Sequence, residues 1–252
     1  MTGSSLKRGL MKQSWLVVSF LLAVPSAAYA APGIDDVVYG ATVEAGKTEI
    51  ETRYGRLTGG PSDGRDAFVL ELAHGFSEHF YGATLATLER EPGGSRRLET
   101  LAVEGIFTLG HINGLDLDAA LYVEGAHGLH GPDNLETKLL LEHRKGPFDS
   151  RLNLVAEREF TSGAPVAFSD AASADYEVAD DVRLGAEAFG DLGSSHKLTA
   201  RSEHFIGPAI KADIDHVGPG ELELRTGFLF AVDRARDEAK GQLRFGLEYE
   251  FK

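Results

Sequence analysis

Apolar and polar residues alternate along most of this chain. In "GQLRFGLEYEFK", Leu243, Phe245, Leu247, Tyr249 and Phe251 occupy every second position, and Gln242, Arg244, Gly246, Glu248 and Glu250 fill the gaps. Successive side chains of a strand point to opposite faces, so one face of this segment is apolar and the other polar. The same period runs through "TEIETRY", "LDLDAALYVEG", "LETKLLLEH", "FDSRLNLVAEREF" and "ELELRTGFLF", and a 3.6-residue helical period fits none of them. The pattern predicts twelve strands, at about 47–57, 66–76, 79–91, 98–109, 114–125, 134–144, 148–160, 166–178, 182–189, 203–214, 220–231 and 240–251. Ten strands is the alternative if 166–178 or 203–214 is irregular.

The connections alternate too. Short links at "SEH", "GHIN", "RKGP", "ADD" and "DHVGPG" intersperse with longer ones at "TGGPSDGR", "REPGGSRR", "AHGLHGPD", "TSGAP", "GDLGSSHKLTAR" and "DRARDEA". Transmembrane β-barrels pair short periplasmic turns with longer external loops. A two-sheet soluble sandwich is the competing arrangement, but its strands average five or six residues. Most strands here alternate for nine or more, the length that crosses a bilayer at a tilt. The predicted fold is all-β: an up-and-down antiparallel transmembrane barrel over 47–252, its apolar face against lipid.

The chain start changes the compartment. "MTGSSLKRGLMKQ" carries Lys7, Arg8 and Lys12 without an acid, "SWLVVSFLLAV" is a short apolar run, and Ala28 and Ala30 sit at small-residue cleavage positions. This layout predicts a signal peptide at 1–30, cleaved near Ala30. Residues 31–46 then form a periplasmic arm or a plug in the lumen, and the sequence leaves both open. Removing 1–30 takes three of the 25 basic residues and none of the 39 acidic ones, so the net charge moves from −14 to −17. Such a surface repels nucleic acid. With no cysteine, disulfides and thiolate metal sites are excluded. Export and the absence of cysteine suit a Gram-negative envelope, with outer-membrane lipid as partner.

The terminal strand also resembles the signal read by the barrel-assembly machinery of proteobacterial outer-membrane barrels. Leu243, Phe245, Leu247, Tyr249 and Phe251 occupy its positions, and Lys252 departs from it, because such barrels usually stop at the aromatic residue. "LEREPGG", "AEAFGDLG" and "LRFGLEYEF" resemble a largely uncharacterised barrel family, more distantly similar to the copper-resistance protein B and phenol-degradation barrel groups. That resemblance implies a barrel over about 45–251 and no settled activity.

Chemistry is expected on the lumen face. Its acids include Glu49 and Glu51 on the first strand, Glu71 and Glu89 on the next two, and Asp116 and Asp118 on the fifth. Glu136, Glu142 and Glu157 follow, then Glu187, Glu223 and Glu248. Its basic groups include Arg53, Lys138, Arg151, Arg183, Arg225 and Arg244. Charges paired across strands would make only a polar wall. An excess of carboxylates would make a cation-preferring passage for small solutes. A closed structural or interaction barrel is the alternative. An enzyme is not expected, since Ser77, Ser150 and Ser169 have no neighbours that read as a base and an oxyanion hole. His127, His130 and Asp133 share one loop, and His196 and His204 flank another, but loop His-x-x-His is a weak metal signal. No cofactor and no metal are expected.

Overall fold

The computed structural model describes residues 31–252, with the backbone alone for 199–201. The predicted signal peptide at 1–30 lies outside the described residues. Twelve strands follow one another: β1 Thr48–Thr58, β2 Asp66–Ser77, β3 Phe80–Arg90, β4 Arg97–Ile112, β5 Leu117–Gly128, β6 Asn134–Lys145, β7 Phe148–Glu159, β8 Ala167–Ala179, β9 Val182–Ser194, β10 Lys197–Val217, β11 Gly220–Asp233 and β12 Gly241–Phe251. Each pairs antiparallel with its sequence neighbours, and β1 pairs with β12, from Thr48 opposite Phe251 to Thr58 opposite Gly241. The sheet is a closed barrel with no free edge.

Side-chain exposure decides which solvent meets which face. Outward residues such as Leu154 (42 %), Leu70 (46 %) and Val103 (62 %) are exposed, while the inward Glu71 (2 %), Glu142 (0 %) and Asn153 (0 %) are buried. A water-soluble fold would reverse this, because it buries apolar side chains and leaves carboxylates exposed. Closure gives every strand a hydrogen-bonded neighbour on both sides, which a sheet in hydrocarbon requires. The apolar belt is therefore the lipid-facing surface.

The predicted strands all form, and ten strands is excluded. The predicted long link "GDLGSSHKLTAR" is instead mostly strand: β9 runs on to Ser194, β10 starts at Lys197, and only 195–196 turn between them. The register shift between Leu198 and Glu203 breaks the period that would have marked this long hairpin. The links 78–79, 113–116, 146–147, 180–181 and 218–219 lie at the end where β1 begins and β12 finishes. The longer 59–65, 91–96, 129–133, 160–166 and 234–240 lie at the far end with 195–196.

Two measurements check this topology. Single cysteines at Gly94 and Gly131, both in far-end links, should label from outside intact cells, whereas one at Lys145 should not; equal labelling of all three would overturn the arrangement. Leu154→Arg should cost about 2–4 kcal/mol if the residue sits at the bilayer midplane, read as a lowered denaturant midpoint of the refolded barrel in lipid.

Candidate functional site

Residues 31–47 enter the barrel at the end where β1 starts and run along its axis toward the far end. Gly46 N–H donates to the Gly75 carbonyl (2.7 Å), and Gly75 N–H to the Lys47 carbonyl (2.9 Å), so the segment leaves β1 by pairing with the end of β2. At the other extreme, Ala31 and Ile34 are buried with Leu57, Ala67, Leu229, Ala235 and Ala239 beneath the far-end loops. Two inward glycines make room for it. A Cβ on Gly55 would collide with the Ile34 carbonyl, and one on Gly75 with that of Glu44.

Between these ends the segment bridges opposite walls. Strands β12 and β6 stand six apart in the ring of twelve, as do β1 and β7. Asp36 joins the first pair: the Arg244 guanidinium donates to its backbone carbonyl, and Lys138 Nζ donates to its carboxylate at 2.7 Å. Tyr39 joins the second: Arg53 donates to its hydroxyl at 3.0 Å, and the Asn153 side chain pairs with its backbone. Asn153 Oδ1 accepts from Tyr39 N–H (2.8 Å) and Asn153 Nδ2 donates to the Tyr39 carbonyl (3.0 Å), so one side chain replaces a partner strand. Ala41 N–H donates to Glu142 at 2.9 Å. Lys138 Nζ also lies 4.8 Å from the Tyr39 ring centre and 4.7 Å from that of Tyr122, both within cation–π reach. A cavity of about 30 Å³ remains between Ile34, Asp36, Arg53, Arg225 and Arg244, room for about one water.

The wall is a continuous network of charges. Arg53 reaches Glu71 at 3.2 Å, and Arg225 contacts Glu51, Glu223 (2.7 Å) and Glu248 (3.0 Å). Arg151 holds Glu142 at 3.0 Å, Lys138 holds Glu136 at 3.2 Å, and Arg244 approaches Glu187 at 3.5 Å. Arg183 pairs with Asp175 and, at 3.3 Å, Glu177. Phenols extend the network: Tyr81 OH lies 3.1 Å from Glu49 and 2.8 Å from Glu71, and Tyr122 OH lies 2.7 Å from Glu104 and 2.6 Å from Glu124. Each phenol carries one proton and donates to one carboxylate at a time. Glu89 and Glu157 line the far half, bound to Arg65 (3.5 Å) and Asn134 (2.7 Å). At the mouth beside β1, Lys47 pairs with Glu250 and, at 2.7 Å, Glu44. Burial lowers its proton affinity, and these two hydrogen bonds more than reverse that, holding the ammonium above the ordinary lysine range.

The residues singled out by alternation thus lie on the inner wall, with one correction. Asp116 is not on a strand. β5 starts at Leu117, and Asp116 occupies the turn 113–116 at φ 54°, with His111 Nε2 3.7 Å from its carboxylate. Asp118, one residue inside β5, accepts from His111 Nδ1 at 2.9 Å at the barrel rim. Sequence reasoning passed over Asp36, Tyr39, Glu104 and Tyr122, and set Asn153 on the inner face without its role, because nothing local ties 31–46 to strands a hundred residues away. The inward glycines Gly55 and Gly75 were the available signal: two gaps on the lumen face where a side chain was expected. His127 Nδ1 lies 2.7 Å from Asp133, which also accepts from Gly128 N–H, so this pair shapes the turn between β5 and β6. Leu243, Phe245, Leu247, Tyr249 and Phe251 form the outward face of β12.

Asn153→Leu keeps the side-chain size and leaves the Tyr39 N–H and carbonyl unpaired, a cost of about 1–3 kcal/mol for each buried group. The expected result is faster protease cleavage within 31–46, while the barrel keeps its heat-modifiable gel mobility; unchanged cleavage would show that the pairing does not hold the segment.

No protein family matches the sequence, and neither does any curated protein. Solved structures do match. The KdgM porin in complex with disordered oligogalacturonate superposes with a TM-score of 0.55 at 11 % identity, over 81 % of this chain and 98 % of its own. The NanC porin gives 0.56 at 8 %, over 81 % and 99 %. The COG4313 outer membrane channel from Pseudomonas putida F1 gives 0.56 at 12 %, over 86 % and 98 %. At such identities the likeness is one of fold: the chain has the twelve-stranded barrel architecture of small outer-membrane channels.

Proposed function

We propose that this protein is an outer-membrane channel for small solutes, cation-preferring, whose lumen is closed at rest by its own residues 31–47. Chain ends and short turns then face the periplasm, and the far-end loops face outside. The observation that carries the reading is the bridging of opposite walls by Asp36 and Tyr39, which fills the bore across its width. The wall left when the segment withdraws keeps more carboxylates than cations, and a negative wall concentrates cations. A polar, charge-lined bore in a lipid-facing barrel suits passage of solutes, and the fold neighbours include porins.

The ligand of the KdgM structure does not carry over. Oligogalacturonate is a polyanion, and a lumen with surplus Glu and Asp repels it. The resemblance to the copper-resistance protein B and phenol-degradation groups supplies no activity. The same bridging contacts favour one second reading, a permanently closed structural or interaction barrel. Export by the segment 1–30 and delivery through the terminal strand to the barrel-assembly machinery belong to both readings.

Planar-bilayer recording separates them. The intact protein should be silent or flicker. Gly55→Leu, whose side chain collides with the Ile34 carbonyl, and a variant lacking 31–46 should both give steady conductance steps. Their reversal potential in a salt gradient should show cation preference, strongest at low ionic strength, where the Debye length is about 10 Å at 0.1 M and longer below it. Silence of both variants, correctly folded, would establish the closed barrel instead; anion preference would reject the acidic passage.

A further inference from the structure

On the outer surface of the barrel, at its far rim, two arginines converge on one buried carboxylate and a third stands beside it. Asp66 opens β2 on the outward-facing side and is fully buried. The Arg90 guanidinium contacts its Oδ2, Arg96 Nη2 donates to its Oδ1 at 2.7 Å, and the Tyr54 hydroxyl lies 3.5 Å from Oδ2. The Arg96 guanidinium also lies 5.8 Å from the Tyr54 ring centre. Arg56 stands directly across from Asp66 in the β1–β2 register, on the same outward face. Among the described residues, Arg56 has neither a hydrogen bond nor an ion pair. The group is therefore three cations to one anion, on a chain whose overall charge is strongly negative.

Asp66 organises the cluster without neutralising it. Both its oxygens are engaged, which fixes Arg90 and Arg96 side by side, and their side chains remain 34 % and 38 % exposed. Glu91, in the adjoining loop, is held by Arg65 at 3.3 Å rather than by these arginines. Below the cluster the outward face turns apolar at once, with Tyr54, Phe68, Leu70 and Leu88 on the same side of β1, β2 and β3. A phosphate group matches planar guanidinium donors bidentately, and acyl chains match the wall beneath.

We infer that Arg56, Arg90 and Arg96 form a seat for a phosphate of a phosphorylated glycolipid in the external leaflet, its acyl chains lying against Tyr54, Phe68, Leu70 and Leu88. The placement in that leaflet rests on the orientation given above, whereas binding by the patch does not depend on whether the channel opens.

The test is native mass spectrometry of the folded protein in detergent, with bis-phosphorylated lipid A and its dephosphorylated form as probes. The wild type should retain the phosphorylated lipid and release the other. Arg56→Gln should weaken retention by about tenfold, as expected for one lost charged contact, and Arg56→Gln with Arg96→Gln more. Among the described residues Arg56 has no hydrogen-bond or ion-pair partner, so the single variant remains informative if the double variant misfolds. Arg158→Gln, at the far end of β7, should change nothing. Equal retention of both lipids, an equal loss with Arg158→Gln, or displacement of lipid A by an equal concentration of inorganic phosphate would each overturn the lipid seat.

Discussion

A sheet in hydrocarbon must satisfy every backbone N–H and C=O within itself, and the rest of this structure follows from that constraint. Closure through β1 and β12 removes the free edges and fixes two faces. Alternation then sends most of the large apolar side chains outward and most of the charged ones inward. Many of the inward charges are largely buried, and a buried charge needs a partner. Arg225 with three carboxylates, Arg53 with Glu71 and Arg151 with Glu142 are the answers the wall supplies for itself.

Two cations, Lys138 and Arg244, reach past the wall to residues 33–36. Asn153, uncharged and fully buried, spends both its amide groups on the Tyr39 backbone. The inner wall and the threaded segment are thus complementary surfaces, and Gly55 and Gly75 are where the wall gives way to backbone. Under the proposed channel function, opening would exchange these contacts for water and mobile ions, and the closed state would be set by a limited group of hydrogen bonds rather than by the barrel.

The barrel was legible because period-two alternation is a local signal repeated twelve times, and even Glu51, Arg53 and Glu248 could be set on the correct face by counting from a neighbour. What local reading missed has physical causes. The register shift after Leu198 interrupts the period at the start of β10. Asp116 continues the alternation of β5 but sits in a left-handed turn conformation, which sequence spacing does not show. The path of 31–47 depends on contacts such as Tyr39 with Asn153, which are 114 residues apart in sequence. The Asp66 cluster is likewise assembled from three separate segments.

Hydrogen exchange on the membrane-embedded protein tests the central claim most directly, because it reads the amides of the segment itself. The account predicts slow exchange at Tyr39, Ala41 and Gly46, whose N–H groups donate to Asn153, Glu142 and Gly75. It predicts that Asn153→Leu accelerates Tyr39 first. Exchange at all three sites at the rate of an unstructured peptide, with the barrel strands protected, would contradict it.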